Sequence, residues 1–326
     1  MAGNVRAGMD GRSRVGRPGG NLRLLAASRR KATTRSGRWT AYAFIALPVL
    51  YVGGAQLFIL IRGMWLSLTS TSTLDPSASD FVGLDNYHQI VAQGELGHTL
   101  YVTVVYTLGS IGGALVLGLG SAVVLNARFR GRGVARALVA IPWATPGVAV
   151  ALVFTWIFNN QFGVLNFVLT RLGLTPDYIA WLDSPSKAMG AVLIPTVWQL
   201  FPVCALVLLA ALQAVPHDLI EAARQDGADS MSVFRNVHLP SVMPTLGVIT
   251  LLATIWSFRR FELIWLLTEG GPADATNTLA IDVYRQTFKF ADLGKGAAVG
   301  MIGLALSFVV TLVYFALTRR AEAKNA

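Results

Sequence analysis

Residues 216–244 read PHDLIEAARQDGADSMSVFRNVHLPSVMP, a polar segment set between two long apolar runs. Its spacing predicts two short helices joined by a turn. Pro216 fits a first-turn position, with Asp218 and Glu221 near the positive end of the helix dipole. Gly227 tolerates the left-handed conformation that ends helices. Asp229 or Ser230 can cap the second helix, whose apolar stripe is Val233, Phe234 and Val237. Pro240 and Pro244 are expected to end the unit. Ala222 and Ala223 leave a smooth surface beside the acidic Glu221, a shape suited to docking in a partner's cleft. An ordinary capped loop between membrane helices would have the same spacing.

The flanking runs decide the class. Of 326 residues, 54% are hydrophobic and only 13% charged, and the mean hydropathy is +0.55. A soluble domain would carry about a quarter charged residues. The chain therefore reads as an all-α polytopic membrane protein. Its net charge of +10 would suit a nucleic-acid binder, but the positive residues are segregated in a way that a bilayer explains and nucleic acid does not. Cys204 is the single cysteine, which excludes an intrachain disulfide and a Cys-cluster metal site. It reads as a small buried hydrophobe.

Six apolar runs are near the ~20 residues needed to cross a bilayer: 39–61, 99–125, 137–158, 188–215, 243–267 and 296–318. The second carries Gly109, Gly112, Gly113, Gly118 and Gly120, which permit close helix packing. The third is interrupted by Pro142 and Pro146, and the fourth carries Pro195 and Pro202. Residues 39–320 are expected to form the membrane domain, with the polar loop 216–240 inside it and a short polar C-terminus at 321–326. Residues 1–38, rich in Arg, Gly and Ser, read as a disordered cytoplasmic tail. Within it, Arg29, Arg30, Lys31, Arg35 and Arg38 are placed to touch anionic headgroups. This tail does not read as a secretory signal, because its polar stretch is long and the apolar run behind it is long enough to span.

Charge orients the spans. The tail holds ten Lys/Arg, the next loop on that side Arg128, Arg130, Arg132 and Arg136, and the C-terminus Arg319, Arg320 and Lys324. The opposite loops are poorer: Arg62 in 62–98, Arg171 and Lys187 in 159–187, and Arg285, Lys289 and Lys295 in 268–295. Both termini and the 216–240 loop are thus expected in the cytoplasm. None of the loops is long enough to form a domain. There is no G-x-x-x-x-G-K-[ST] phosphate loop, and His88, His98, His217 and His238 lack metal-ligand spacing. No nucleophile, acid pair or metal set suggests catalysis.

Glu221, Ala222, Ala223, Asp226, Gly227, Ala228, Leu239 and Pro240 form E-A-A-x-x-D-G-A followed by L-P. This pattern resembles the EAA loop in permease subunits of binding-protein-dependent ABC importers. F-V-G-L-D-N-Y at 81–87, I-P-W-A-T-P at 141–146, F-N-N-Q-F-G at 158–163, W-Q-L-F-P at 198–202 and F-R-R-F-E-L-I-W-L-L-T-E-G-G-P at 258–272 are similar to segments of the maltose-permease-like branch. The likeness covers most of 39–320.

The resemblance implies a type I ABC importer permease fold of six transmembrane helices in the bacterial plasma (inner) membrane, with cytoplasmic EAA coupling helices. It implies a second permease subunit, usually a related chain, an ATPase dimer that binds ATP and Mg, and an extracytoplasmic solute-binding (lipo)protein. The chain itself would hold no cofactor and no metal. The solute would be a carbohydrate, from sugars and oligosaccharides to glycerol phosphates. The positions matching the family's substrate site are Trp143, Gln199, Val203, Trp256, Ser257 and Arg260. Arg260 stands where an amide is usual for a neutral sugar, which leaves room for an anionic solute; alternatively it pairs with an acid on the second permease. On a continuous fifth helix, Trp256, Ser257 and Arg260 would share a face, and Arg259 and Glu262, three apart, would pair with each other. An ion-gradient-driven secondary transporter is the competing class, but it accounts for neither the E-A-A-x-x-D-G loop nor the lack of an inverted repeat.

Overall fold

The computed structural model describes residues 35–77 and 79–325. Most of the 1–38 tail lies outside the described residues. The chain divides into two compact units, Met1–Leu60 and Ile61–Ala326. The first unit contributes most of α1 (Arg35–Ser67), a long apolar helix with Pro48 inside it. Helix therefore covers Arg35–Arg38, within the stretch that composition assigned to the tail.

The second unit contains α2 (Asp85–Ala92), α3 (Glu95–Asn126), α4 (Arg132–Ala144), α5 (Gly147–Ile157), α6 (Val164–Arg171), α7 (Pro185–Gln213), α8 (His217–Gln225), α9 (Ser230–Val233), α10 (Leu239–Phe258), α11 (Glu262–Thr268), α12 (Leu279–Tyr284) and α13 (Leu293–Asn325). Five helices among the described residues are long and apolar enough to cross a membrane, and α4 with α5 makes six if that bent pair counts as one span.

The core is the seam between α3 and α7. Gly109, Gly113 and Gly118 face α7. A Cβ at these positions would lie 2.8 Å from Leu193 Cδ1, 2.7 Å from Val197 Cγ2 and 2.5 Å from Cys204 Cβ, respectively. Only glycine lets the two backbones approach this closely, which is how helices pack where lipid gives no hydrophobic drive between them. Gly112 and Gly120 face open space, so the glycine-rich run is a stripe. Cys204 is fully buried on this seam, among Ile111, Ala114, Leu200, Ile249 and Ala253.

Two expected spans differ from continuous helices. The third breaks at Thr145–Pro146, where α4 and α5 meet at 92°. Thr145 is extended at ψ 130, the conformation proline's ring imposes on its predecessor. The fifth is interrupted between α10 and α11, at 259–261, but runs unbroken from Ser230 to Phe258, so neither Pro240 nor Pro244 ends the coupling unit as its residue type suggested. A wide turn at Phe234–His238 precedes Leu239, with the Leu239 amide reaching Phe234 O. Proline lacks an N–H donor, and the one-turn π-bulge accommodates that loss without stopping the helix.

Asn166 fixes the segment after α5. Its Nδ2 donates to Asn159 O and Ile179 O, while its Oδ1 accepts from the Ile179 amide and Trp181 Nε1. At the end of the unit opposite α8, Asn86 Nδ2 donates to Ser67 O and Thr69 O. There the three cations of the 268–295 loop are neutralised: Arg285 pairs with Asp274, Lys289 with Glu269 at 2.7 Å and Lys295 with Asp292 at 3.3 Å.

Candidate functional site: two helix breaks and an uncovered helix pair

The α8–α9 pair is built much as its sequence suggests. Pro216 precedes α8 in an extended conformation, Asp218 is in the first turn and Arg224 in the last, charges that complement the dipole. Gly227 has φ +85, and its amide donates to Arg224 O while the Ala228 amide donates to Ala223 O. Of the two capping candidates, Asp229 serves: its Oδ1 accepts from the Ser232 amide at 2.9 Å. Hydrogen bonds from Ser232 hold the Asp229 carboxyl below the usual carboxylate range. No residue of α8 is buried. Glu221, Ala222 and Asp226 are exposed and Ala223 and Ala228 half-buried. Leu239 is half-buried and Pro240 exposed. Beneath α8, a cavity of ≈ 560 Å³ is lined by Arg128, Leu212, His217, Glu221, Arg224 and Phe234, among others.

The second arrangement lies where the two interrupted spans meet α7. α10 ends at Phe258 and α11 starts at Glu262, so Arg259 and Arg260 sit in a break. Gln199 bridges the breaks: its Oε1 accepts from Arg260 Nη1 at 2.7 Å, and its Nε2 donates to Thr145 O at 2.9 Å. A cavity of ≈ 380 Å³ is lined by Gly147, Gln199, Trp256, Arg259, Arg260, Phe261, Glu262 and Leu263.

This geometry sorts the substrate-site residues. Gln199, Trp256 and Arg260 come together on the cavity. Ser257 does not join them. It is 4% exposed and its hydroxyl bonds Ser110 of α3 at 3.0 Å, so it faces the chain's own interior. Trp143 is exposed on α4 and Val203 is half-buried on α7, both outside this lining. The helical face expected for Trp256, Ser257 and Arg260 ends at Phe258. The expected Arg259–Glu262 pair is absent from the ion pairs among the described residues. Instead, the Glu262 carboxylate lies over Gly147 at the start of α5, where a Cβ would be 2.7 Å from Oε2. A helix start favours a carboxylate. Sequence reasoning missed the polar contacts behind the site: Tyr106 OH meets Thr196 Oγ1 at 3.1 Å, and Ser110 meets Ser257. Tyr106 and Ser110, one turn apart on an apolar helix, carried that signal.

Apolar spans, two of them interrupted beside buried polar groups, and a polar helix pair uncovered at one end make up a membrane transport subunit. The family model described as binding-protein-dependent transport system inner membrane component matches residues 114–323. The chain belongs to that family, whose members are the membrane permeases of ABC importers. It is 37% identical to the trehalose/maltose transport system permease protein MalF of Thermococcus litoralis, over 84% of this chain and 92% of the relative. It is 33% identical to the sulfoquinovosyl glycerol transport system permease protein SmoG of Agrobacterium fabrum, over 90% and 96%. The fold is similar to a chain of the bacterial alginate ABC transporter, solved in complex with an alginate pentasaccharide-bound periplasmic protein. The TM-score is 0.75 at 19% identity, covering 92% of this chain and 98% of that one.

Proposed function

We propose that the chain forms half of the translocation path of an ATP-driven carbohydrate importer. The observation that carries this reading is the Gln199–Arg260 contact at the meeting of two helix breaks, open to a cavity beside Trp256. Charged groups inside a membrane domain are expensive and mark solute paths. An aromatic face with amide and guanidinium donors suits the apolar faces and hydroxyls of a sugar. The named relatives act on carbohydrates, which supports that class.

In the same reading, Glu221, Ala222, Ala223, Asp226, Gly227 and Ala228 dock α8 on an ATPase dimer that holds ATP and Mg, with Leu239 and Pro240 setting the exit into α10. A second permease completes the path, and a solute-binding protein delivers from the opposite side. Both termini lie in the cytoplasm. The excess of Lys and Arg in the tail and in the segment 128–136 supports this orientation.

The test is uptake by a deletion strain complemented with wild type, Trp256→Ala or Arg260→Ala, using radiolabelled trehalose, maltose and acidic oligosaccharides. Loss of uptake or altered preference is expected, with normal membrane insertion. Unchanged rate and selectivity in both variants would place the path elsewhere. In proteoliposomes of the whole complex, vanadate should abolish uptake; uptake that resists vanadate but collapses with an ionophore would establish the gradient-driven class.

A further inference from the structure

The loop joining α3 to α4 and the first residues of α4 read A-R-F-R-G-R-G over 127–133. Arg128, Phe129, Arg130, Arg132 and Gly133 line an open cavity of ≈ 590 Å³ with no acidic side chain in its wall. None of these arginines has an ion-pair partner among the described residues. One turn further on, Arg136 has its Nε and Nη2 buried without a hydrogen-bond partner among the described residues. Three unpaired guanidiniums clustered at the surface, with Arg136 partly buried behind them, concentrate positive charge that attracts an anion.

The helix below the loop says which kind. On α4, Val134, Leu138 and Ile141 are 65%, 60% and 53% exposed. They recur at i, i+4 and i+7, so they form one aliphatic stripe running away from the arginines. Phe129, 43% exposed, is set among the charges. The cavity wall reaches Gly133, the residue before Val134, so the charged cavity adjoins the head of the aliphatic stripe, as the headgroup and acyl chains of a single molecule would need.

We propose that this loop and α4 form a binding site for an anionic phospholipid, with the headgroup phosphate on Arg128, Arg130 and Arg132 and the acyl chains along Val134, Leu138 and Ile141. Clustered arginines at a membrane surface favour anionic headgroups. Arg128 also lines the cavity beneath α8, together with Glu221 and Arg224. The occupied headgroup therefore sits beside the exposed helix pair and adds charge next to it. The site goes beyond the carbohydrate reading and requires only that the chain lies in a bilayer.

Native mass spectrometry of the purified full chain tests it, with dioctanoyl phosphatidylglycerol, dioctanoyl phosphatidylcholine and inorganic phosphate as probes. Phosphatidylglycerol should bind preferentially. Each arginine contributes roughly a fivefold gain, so Arg128→Gln, Arg130→Gln and Arg132→Gln together should cost on the order of a hundredfold. Val134→Ser with Leu138→Ser should weaken the lipid and leave inorganic phosphate unaffected. Arg171→Gln, on the α6 surface, serves as the control and should change nothing; size-exclusion profiles of all variants check folding. Equal binding of the two lipids, or an unchanged triple variant, overturns the proposal. Inorganic phosphate that displaces the lipid fully, with the serine variants binding normally, would make this a free-anion site and also overturn it.

Discussion

Gly118→Ala should open the α3–α7 seam, and the chain carries its own reporter. The added methyl would lie 2.5 Å from Cys204 Cβ and 3.1 Å from the Ala205 backbone nitrogen. Carbon atoms rest about 3.5–4.0 Å apart, so the helices must separate by roughly 1 Å at this turn. No rotamer change relieves the contact, since Cys204 Cβ and the Ala205 nitrogen are fixed to the backbone. Overpacking of this kind costs about 1–3 kcal/mol. Alanine regains up to about 1 kcal/mol as a better helix former, and Gly112→Ala isolates that gain, because nothing lies within 4 Å of its Cβ.

Cys204 is the only cysteine and is fully buried. Its maleimide labelling in detergent or nanodiscs therefore reports opening of this seam. At fixed pH, Gly118→Ala should label roughly 5- to 150-fold faster than Gly112→Ala, the range that 1–3 kcal/mol implies. The stripe also predicts an order. Gly113→Ala meets the β-branched Val197, which is stiff at χ1, and should outrank Gly109→Ala, which meets the tip of the more mobile Leu193. Equal labelling of the Gly118 and Gly112 variants would refute the claim that glycine sets the seam.

Gly227→Val should impair transport through backbone strain alone, on the order of 1–2 kcal/mol, because φ is +85 and no atom lies within 4 Å of the new Cβ. Gly227→Asn, which tolerates that conformation, should retain more uptake per inserted permease; equal uptake by the two variants would refute the strain. Asp229 has a depressed carboxyl pKa, so its contribution to the α9 cap is present above the unfolded value and lost as pH falls through the folded one. Hydrogen exchange at the Ser232 amide should accordingly show an acid-side loss of protection that Asp229→Asn removes. Gln199→Leu keeps the volume but strips Arg260 and the Thr145 carbonyl of their partner, and it should cost uptake about tenfold or more, from about 1.5–3 kcal/mol for a bond to a charged group. Normal uptake would show that the bridge is dispensable. For topology, with Cys204 replaced by Ala, a cysteine at Ser232 should resist an impermeant thiol reagent in intact cells and one at Ser79 should react; labelling at Ser232 would reverse the orientation.

What the sequence made legible follows from how local the cause is. Gly227 and Asp229 act within a turn and are found in the roles their residue types imply, whereas Pro216 stands just before α8 instead of in its first turn. Pro146 marked a break but Pro142 did not, since it lies buried inside α4, and the 92° bend itself depends on what α4 and α5 pack against. Pro240 misled because a wide turn at Phe234–His238 absorbs its missing donor, and nothing in the residues around it distinguishes that outcome from a helix end. Ser257 misled for a different reason. Helical periodicity places it beside Trp256, but whether that face meets solute or Ser110 is decided by α3, some 150 residues earlier in the chain.

The break at Arg259–Phe261 had no glycine or proline to announce it, yet the physics was present in the pair of arginines. Two adjacent guanidiniums point about 100° apart on a helix, so a continuous span would have to aim at least one away from any single polar partner. Ending α10 at Phe258 frees both side chains to turn to the same cavity. It also sends Glu262 to the start of α5 instead of to Arg259, three residues before it. The third span contributes the complementary half: Pro146 cannot donate, and Gln199 reaches the Thr145 carbonyl exposed at that break. One amide thus satisfies an acceptor from one interrupted span and a donor from the other. A carboxylate at 199 would offer no donor to Thr145, and a lysine there would offer no acceptor to Arg260. The two breaks are consequently one construction, and Gln199, on the most buried of the spans, is the residue through which a movement of either would reach the other.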